Sequence, residues 1–314
     1  MTGPGAGQTD YRVPNSAILV ALAAFFWGLS GGIGGILLAE GWGPFVVSFY
    51  RGSIGLLFVL FWLALHPQNS GLGNPRLWLW AIIAGLGVAG NFSFYFLSIS
   101  EGSVAVAATL MYCAPVFVFL ISFILRLERP TPFKLAAIVI VVIGISLLTG
   151  IYDIEGSQIT LAGIVAGLLA GLSYALFIFG FKFAARNGSP QAVLVIAFAV
   201  LGIILIWPAS AEQVVAVLGA SDWPFFIALG VLGAGLSFIF YIVGLKNTVP
   251  TVAAIVAMVE PVTASLFGVL LLNESLDPVQ LIGMGLILVT VTALSVYSDS
   301  KTHHVPYSRG DYNA

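Results

Sequence analysis

LWLWAIIAGLGVAGNFSFYFLS, residues 77–98, runs for 22 positions without a charge. A helix of that length rises about 30 Å, at ~1.5 Å per residue, which is the thickness of a bilayer's hydrocarbon core. Apolar blocks of similar length recur along the chain, with helices expected at 16–39, 44–65, 77–98, 103–125, 133–150, 158–181, 190–209, 223–245, 250–272 and 279–297. The breaks carry Gly, Pro or acids, as in GWGP at 41–44, PQNSGLGNP at 67–75, RLERPTP at 126–132 and NESLDP at 273–278, residue types that punctuate helices. Composition agrees: 60% of residues are hydrophobic, 8% charged, and the mean hydropathy is +1.07, where a soluble domain carries roughly 25% charged residues. The expectation is an all-α integral membrane protein of ten transmembrane helices. Its loops are too short to hold a soluble domain, so any function is carried out within the bilayer.

The charges sort by side. With the N-terminus in the cytoplasm, Arg12, Arg76, Arg126, Arg129, Lys134, Lys182, Arg186, Lys246, Lys301 and Arg309 all fall on the cytoplasmic side. The external loops carry only the acids Glu40, Glu101, Asp153, Glu155, Glu212, Asp222, Glu274 and Asp277. This is the positive-inside pattern, and a wrong helix count would scramble it from the error onward. It argues for ten spans with both termini cytoplasmic, in the inner or plasma membrane. The tails, 1–15 and 298–314, are polar, and the first lacks the layout of a signal peptide. The first helix is therefore expected to serve as its own insertion signal. A net charge of −2 offers no basic face for nucleic acid, and the single cysteine, Cys113, cannot form an intrachain disulfide.

Shifted by 146 residues, the sequence matches itself: Phe94-Tyr95 falls on Phe240-Tyr241, Val106-Ala107-Ala108 on Val252-Ala253-Ala254, and Pro115-Val116 on Pro261-Val262. In the same register Glu128 meets Glu274 and Pro132 meets Pro278. Nearer the start of each half, a shift of 147 pairs Trp27 with Tyr174 and Gly41 with Gly188. The two expected repeats are 16–150 and 158–297, each of five spans. Five is odd, so the second repeat is inserted upside down relative to the first. Two similar halves in opposite orientations can exchange conformations, turning an outward-open cavity into an inward-open one around a central site.

Those residues resemble the drug/metabolite transporter superfamily, in particular its EamA-type exporters. The matching pieces are LAAFFWGLSGG at 22–32, SFYRG at 48–52, MVEPVTASLFGVLLLNESLDPVQLIGMGLILV at 258–289 and the fainter CAPVFVFLISFILRLERPTPFKLAAIVIVVIG at 113–144. The resemblance implies ten helices with both ends cytoplasmic, a central cavity between inverted halves, and export of small metabolites by alternating access. Within the superfamily, the YddG-like aromatic amino acid exporters are nearest in character. The first half departs from the pattern, because Ala114 stands where the second half has Glu260.

Few charges lie inside the spans: Arg51 in the second and Glu260 in the ninth. A charge of this kind near the bilayer centre costs at least ~2.5–3.5 kcal/mol on insertion scales, so its default reading is functional. Their depths differ by about 5 Å at ~1.5 Å per residue, close enough to interact in at least one conformational state. Either is a candidate to hold a substrate carboxylate or ammonium, and Glu260 a candidate for a coupling proton. The competing reading is a permanent structural ion pair. Pro115 and Pro261 sit mid-span at matched positions, where a missing N–H loosens the helix and frees a carbonyl; such breaks point to a binding region. Asn91, Tyr112, Tyr174 and Trp27 complete the candidate substrate-binding set, with Ser237 among the other intramembrane polar groups. Tyr95, towards the outside, and its mate Tyr241, towards the inside, are candidate gates. Gly28, Gly32 and Gly35, with Gly163, Gly167 and Gly171, form small-residue stripes for close helix packing. Lys182, near an inner helix end, is expected to snorkel to the interface.

Two string matches are rejected. Gly85-x-Gly87-x-x-Gly90 fits the dinucleotide fingerprint but follows no strand. Gly28-Leu29-Ser30-Gly31 has a serine but no base to activate it, since His66, His303 and His304 lie in loops or tail. No cofactor and no metal cluster is expected, and no enzyme activity. The reading is a secondary transporter exporting small metabolites, with neutral or aromatic amino acids first. Sugars, nucleosides or amine drugs are the competing substrates, and a receptor or scaffold without transport is the more distant alternative. The bilayer and a small-molecule substrate are the expected partners.

Overall fold

The computed structural model describes residues 16–101, 104–153, 160–272 and 275–302, without side chains for Ala105 and 295–302. The loop charges Arg12, Glu155, Glu274 and Arg309 and the residues 1–15 and 303–314 lie outside the described residues. Within them every regular element is helical: α1 (Ser16–Ala39), α2 (Pro44–Leu65), α3 (Pro75–Ser100), α4 (Val104–Met111), α5 (Ala114–Ile124), α6 (Pro132–Leu148), α7 (Leu161–Ala184), α8 (Pro190–Leu205), α9 (Ala211–Ala216), α10 (Trp223–Gly230), α11 (Ser237–Asn247), α12 (Pro250–Val256), α13 (Val259–Leu271) and α14 (Pro278–Thr302). Proline opens six of these helices, where its missing N–H would have had no partner. Side chains of Asn74, Thr131, Thr160 and Ser189 accept from N–H groups of the first turns of α3, α6, α7 and α8, so the polar breaks act as caps.

Among the described residues seven rods are long and apolar enough to cross a membrane: α1, α2, α3, Val106–Ile124, α7, Trp223–Asn247 and Pro250–Leu271. Three expected spans coincide with shorter apolar helices, Pro132–Leu148, Pro190–Leu205 and Pro278–Leu294. The seventh expected span stops at Leu205, before Trp207-Pro208, and the short α9 follows it. Three rods are interrupted. α4 gives way to α5 at Tyr112-Cys113 and α12 to α13 at Ala257-Met258, just ahead of Pro115 and Pro261. Between α10 and α11 the residues Val231–Leu236 form a π-helical turn. Large apolar side chains such as Leu57, Phe61, Leu161, Leu270 and Val289 stay exposed on the outside of the bundle, as lipid contact allows.

The rods pair closely. α3 lies along α7, α1 along the π turn and α11, α2 against α8, α6 against α14, α1 against α13, and α4 and α5 against α7. Glycine sets the first of these distances: a Cβ on Gly87 would fall on the backbone of Phe177, and one on Gly180 on the backbone of Ala84. The two expected stripes pack in matching fashion, Gly28 and Gly32 on α13 and Gly167 and Gly171 on α4, although Gly35 faces open space. Gly87→Val is therefore expected to cost about 1–3 kcal/mol or more by overpacking, read as a lower unfolding temperature in detergent. Gly285→Val, whose Cβ would meet nothing within 4 Å, should leave that temperature where it was. Equal stability of the two variants would refute the packing role.

Candidate functional site

A cavity of about 300 Å³ opens between α1, α2, α3, α4, α7, α10 and α13. Its lining runs from Trp27, Tyr174 and Glu260, near the middle of the rods Ser16–Ala39, Leu161–Ala184 and Pro250–Leu271, to Leu38 and Pro44 at the α1–α2 turn. Arg51, Asn91, Tyr95 and Tyr112 also line it, so the structure brings most of the polar candidates around one space. Neither Pro115 nor Pro261 lines it; each follows a helix break, and Tyr112 in the first break and Glu260 just after the second do line it. Part of the wall is apolar and aromatic, with Phe92, Phe96, Met111 and Leu229.

Arg51 and Glu260 share the cavity without pairing: among the described residues the one ion pair is Lys134–Glu128. The Arg51 guanidinium donates instead to the carbonyl of Gly233, from Nε at 3.0 Å and from Nη2 at 2.8 Å, and lies 5.4 Å from the Phe92 ring centroid. Glu260 accepts from the Tyr174 hydroxyl at 3.4 Å, a long contact that leaves most of its acceptor capacity unused. Asn91 donates to the carbonyl of Ala170 at 3.0 Å, tying α3 to α7 beside the cavity.

Aromatic rings close the cavity's floor. Trp27 lies 4.9 Å from the centroids of both Phe238 and Tyr241, and Phe177 and Phe181 pack around them. Tyr95 is half-buried at the cavity, while Tyr241 is fully buried in this plug. Below the plug, two charged side chains hold helix ends that repetition and patterning alone did not single out. Lys182 does not snorkel: it is buried, and its ammonium donates to the carbonyls of Leu245, Lys246 and Thr248 at 2.7, 2.9 and 2.6 Å. These carbonyls lie at and just beyond the C-terminal end of α11, where a helix leaves carbonyl acceptor capacity unused, and they hold the charge inside. Glu128 accepts from Lys134, from the Ser122 hydroxyl and from the Thr251 N–H, the last at 3.1 Å. It thereby satisfies a first-turn donor of α12.

The sequence matches the model of the EamA-like transporter family twice, over residues 15–150 and 161–296. The chain belongs to the EamA-like transporter family. It is accordingly a multi-span membrane transporter of the drug/metabolite type, built from two sequence repeats, and not an enzyme. It is 32% identical over 246 residues to an uncharacterized transporter of Archaeoglobus fulgidus, covering 78% of this chain and 84% of that one. It is 25% identical over 289 residues to the uncharacterized transporter YwfM of Bacillus subtilis, covering 89% and 93%. It is also 25% identical over 304 residues to the threonine/homoserine exporter RhtA of Escherichia coli, covering 92% and 94%. A protein crystal structure shares the fold, with a TM-score of 0.72 over 91% of this chain and 98% of that one at 18% identity. The cavity of this EamA-like transporter thus holds two opposite charges that do not bond to each other.

Proposed function

We propose that this chain exports neutral amino acids, aromatic ones included, by alternating access across the inner or plasma membrane. The observation that carries the reading is the pair Arg51 and Glu260, opposite in charge, lining one cavity and not spent on each other. An amino acid carries a carboxylate and an ammonium, and the two side chains offer one partner for each. The apolar wall of Phe92, Phe96 and Met111 suits an uncharged side chain, and about 300 Å³ leaves room for a large one. The similarity to a threonine/homoserine exporter favours amino acids over sugars, nucleosides or amines. A receptor or scaffold would bind without flux, and gives no reason for a chain built of two repeats. Glu260 is also our candidate for proton coupling, with Tyr174 on its carboxylate.

In this reading the ten apolar rods form two inverted five-helix repeats, 16–150 and 158–297, with both termini cytoplasmic. The pairing of rods supports it, since exchanging the halves turns α3–α7 into the α1 contact with the π turn and α11, and α1–α13 into the contact of α7 with α4 and α5. On that orientation the cavity reaches towards the outside at Leu38 and Pro44, and the plug and the Lys182 and Glu128 contacts close the inside. The structure is then an outward-facing state, with Tyr95 at the outer gate and Tyr241 at the inner one.

The test is counterflow into proteoliposomes preloaded with unlabelled amino acids, screened with labelled ones. Saturable uptake of one group of neutral amino acids is the expected result. Correctly inserted protein that moves no amino acid but exchanges a nucleoside, sugar or amine would overturn the substrate assignment.

A further inference from the structure

The rod from Trp223 to Asn247 widens at one place, and the widening has a specific consequence. The Ser237 N–H bonds to the carbonyl of Leu232, five residues back, and to that of Ala234. In an α-helix it would bond four residues back, to Gly233. The Gly233 carbonyl is therefore passed over, and Arg51 of α2 takes it with two donors. A guanidinium presents five N–H donors in a rigid fork. With one edge fixed on a backbone oxygen, the remaining donors are held in orientation beside the cavity.

The residue at the turn is constrained as well. A Cβ on Gly233 would overlap the Ser30 side chain and sit 3.0 Å from Arg51 Nε. The repeat provides an internal comparison. Gly87, the mate of Gly233 at a shift of 146, lies in the unbroken α3, and the mate of Arg51 at a shift of 147 is Phe198. The helix is widened only in the half whose partner helix brings an arginine. π turns of this kind are frequent at functional sites.

We propose that the π turn at Gly233 is a positioning device for Arg51. Its displaced carbonyl pins one edge of the guanidinium and presents the other edge to the cavity as a fixed anion-binding face. Gly233 is a positioning residue, acting through Arg51. That the anion is a substrate carboxylate rests on the functional reading above; that the turn fixes the arginine does not.

The test needs no substrate. In the full-length protein with Cys113→Ser, a Ser48→Cys probe lines the cavity one turn from Arg51. Its rate with an anionic methanethiosulfonate (sulfonatoethyl) is divided by its rate with a cationic one (trimethylammonium-ethyl). Gly233→Ala should lower that ratio at least about 5-fold, in the direction of Arg51→Gln, because the fixed positive edge is displaced. Adding Ser30→Gly removes the overlap with Ser30 and leaves only the crowding of Arg51, which guards against a merely misfolded variant. A ratio still lowered in that double variant supports the proposal; a ratio restored to the starting value overturns it, since Gly233 would then serve packing against Ser30 alone. In counterflow, Gly233→Ala should raise KM about 10-fold with Vmax nearly kept. A lowered reagent ratio with no amino-acid flux in the unsubstituted protein would leave the positioning intact and overturn the substrate reading instead.

Discussion

Glu260→Gln, inserted at wild-type levels, is expected to reduce saturable amino-acid counterflow by at least about 30-fold, and Arg51→Gln by a similar factor. At position 260 glutamine keeps the size of the side chain while removing its charge; at position 51 it removes the guanidinium and its donors together with the charge. Removing one partner from a desolvated charge pair costs about 2–5 kcal/mol, and each ~1.4 kcal/mol is tenfold, so the range runs from about 30-fold to several thousand. The double variant decides between the two readings of these charges. If the substrate bridges them, Arg51→Gln with Glu260→Gln together still leaves no site for either end of a zwitterion, and flux stays lost. If the charges exist to neutralise each other in some state of the cycle, removing both relieves the unpaired charge left by either single change, and flux should largely return. Their separation in the present structure, with Arg51 on Gly233 and Glu260 on Tyr174, favours the first outcome. Return of flux in the double variant would sink the substrate role of both residues.

The features legible in the sequence are those imposed by the bilayer. Charges are driven out of the spans, so the few left inside, Arg51 and Glu260, stood out at once and do line one cavity. Prolines at 115 and 261 announced the interruptions before α5 and α13, because a missing N–H is a local property. The missed features depend on partners far along the chain. Val231–Leu236 reads as ordinary apolar helix, and its widened register answers to Arg51, 182 residues away in sequence. Lys182 at a helix end looks ready to snorkel, yet carbonyls at the C-terminal end of α11 and on Thr248 just after it lie within 3 Å. Glu128 was visible through its repeat mate, but its reach to the first turn of α12 was not. The aromatic candidates divided for the same reason: Tyr95 and Tyr112 line the cavity, while Tyr241 is packed into the plug beneath it.

Glu128→Ala together with Lys182→Met should open the inner end of the bundle, and the plug's own chemistry is the reason to expect it. Among the described residues four buried side-chain polar atoms have no protein hydrogen-bond partner: Trp27 Nε1, Ser237 Oγ, Tyr241 OH and Thr251 Oγ1. All lie in the plug or just beyond it, on the closed side. Each such atom costs about 1–3 kcal/mol while buried, a cost relieved if the plug parts and water reaches it. The closed state is thus under internal opposition, and something must offset it. Glu128 on the Thr251 N–H and Lys182 on three carbonyls supply charge-assisted contacts of about 1.5–3 kcal/mol each, and both join helix ends that must separate for the inside to open. Lys182 has no charged mate in the first half, where positions 35 and 36 are Gly and Ile; that end is closed by a contact with no repeat equivalent. Losing both contacts is expected to move the equilibrium at least about 10-fold towards the inward-open state. The measurement is the labelling rate of Ser237→Cys, in a Cys113→Ser background, by an impermeant maleimide added from the cytoplasmic face of sealed vesicles. Labelling should accelerate at least about 10-fold, and labelling of Ser48→Cys from the opposite face should slow. Unchanged rates at both positions in a protein that remains folded would mean that these contacts brace helix ends without holding the gate, and that the closed plug owes its stability to ring packing alone.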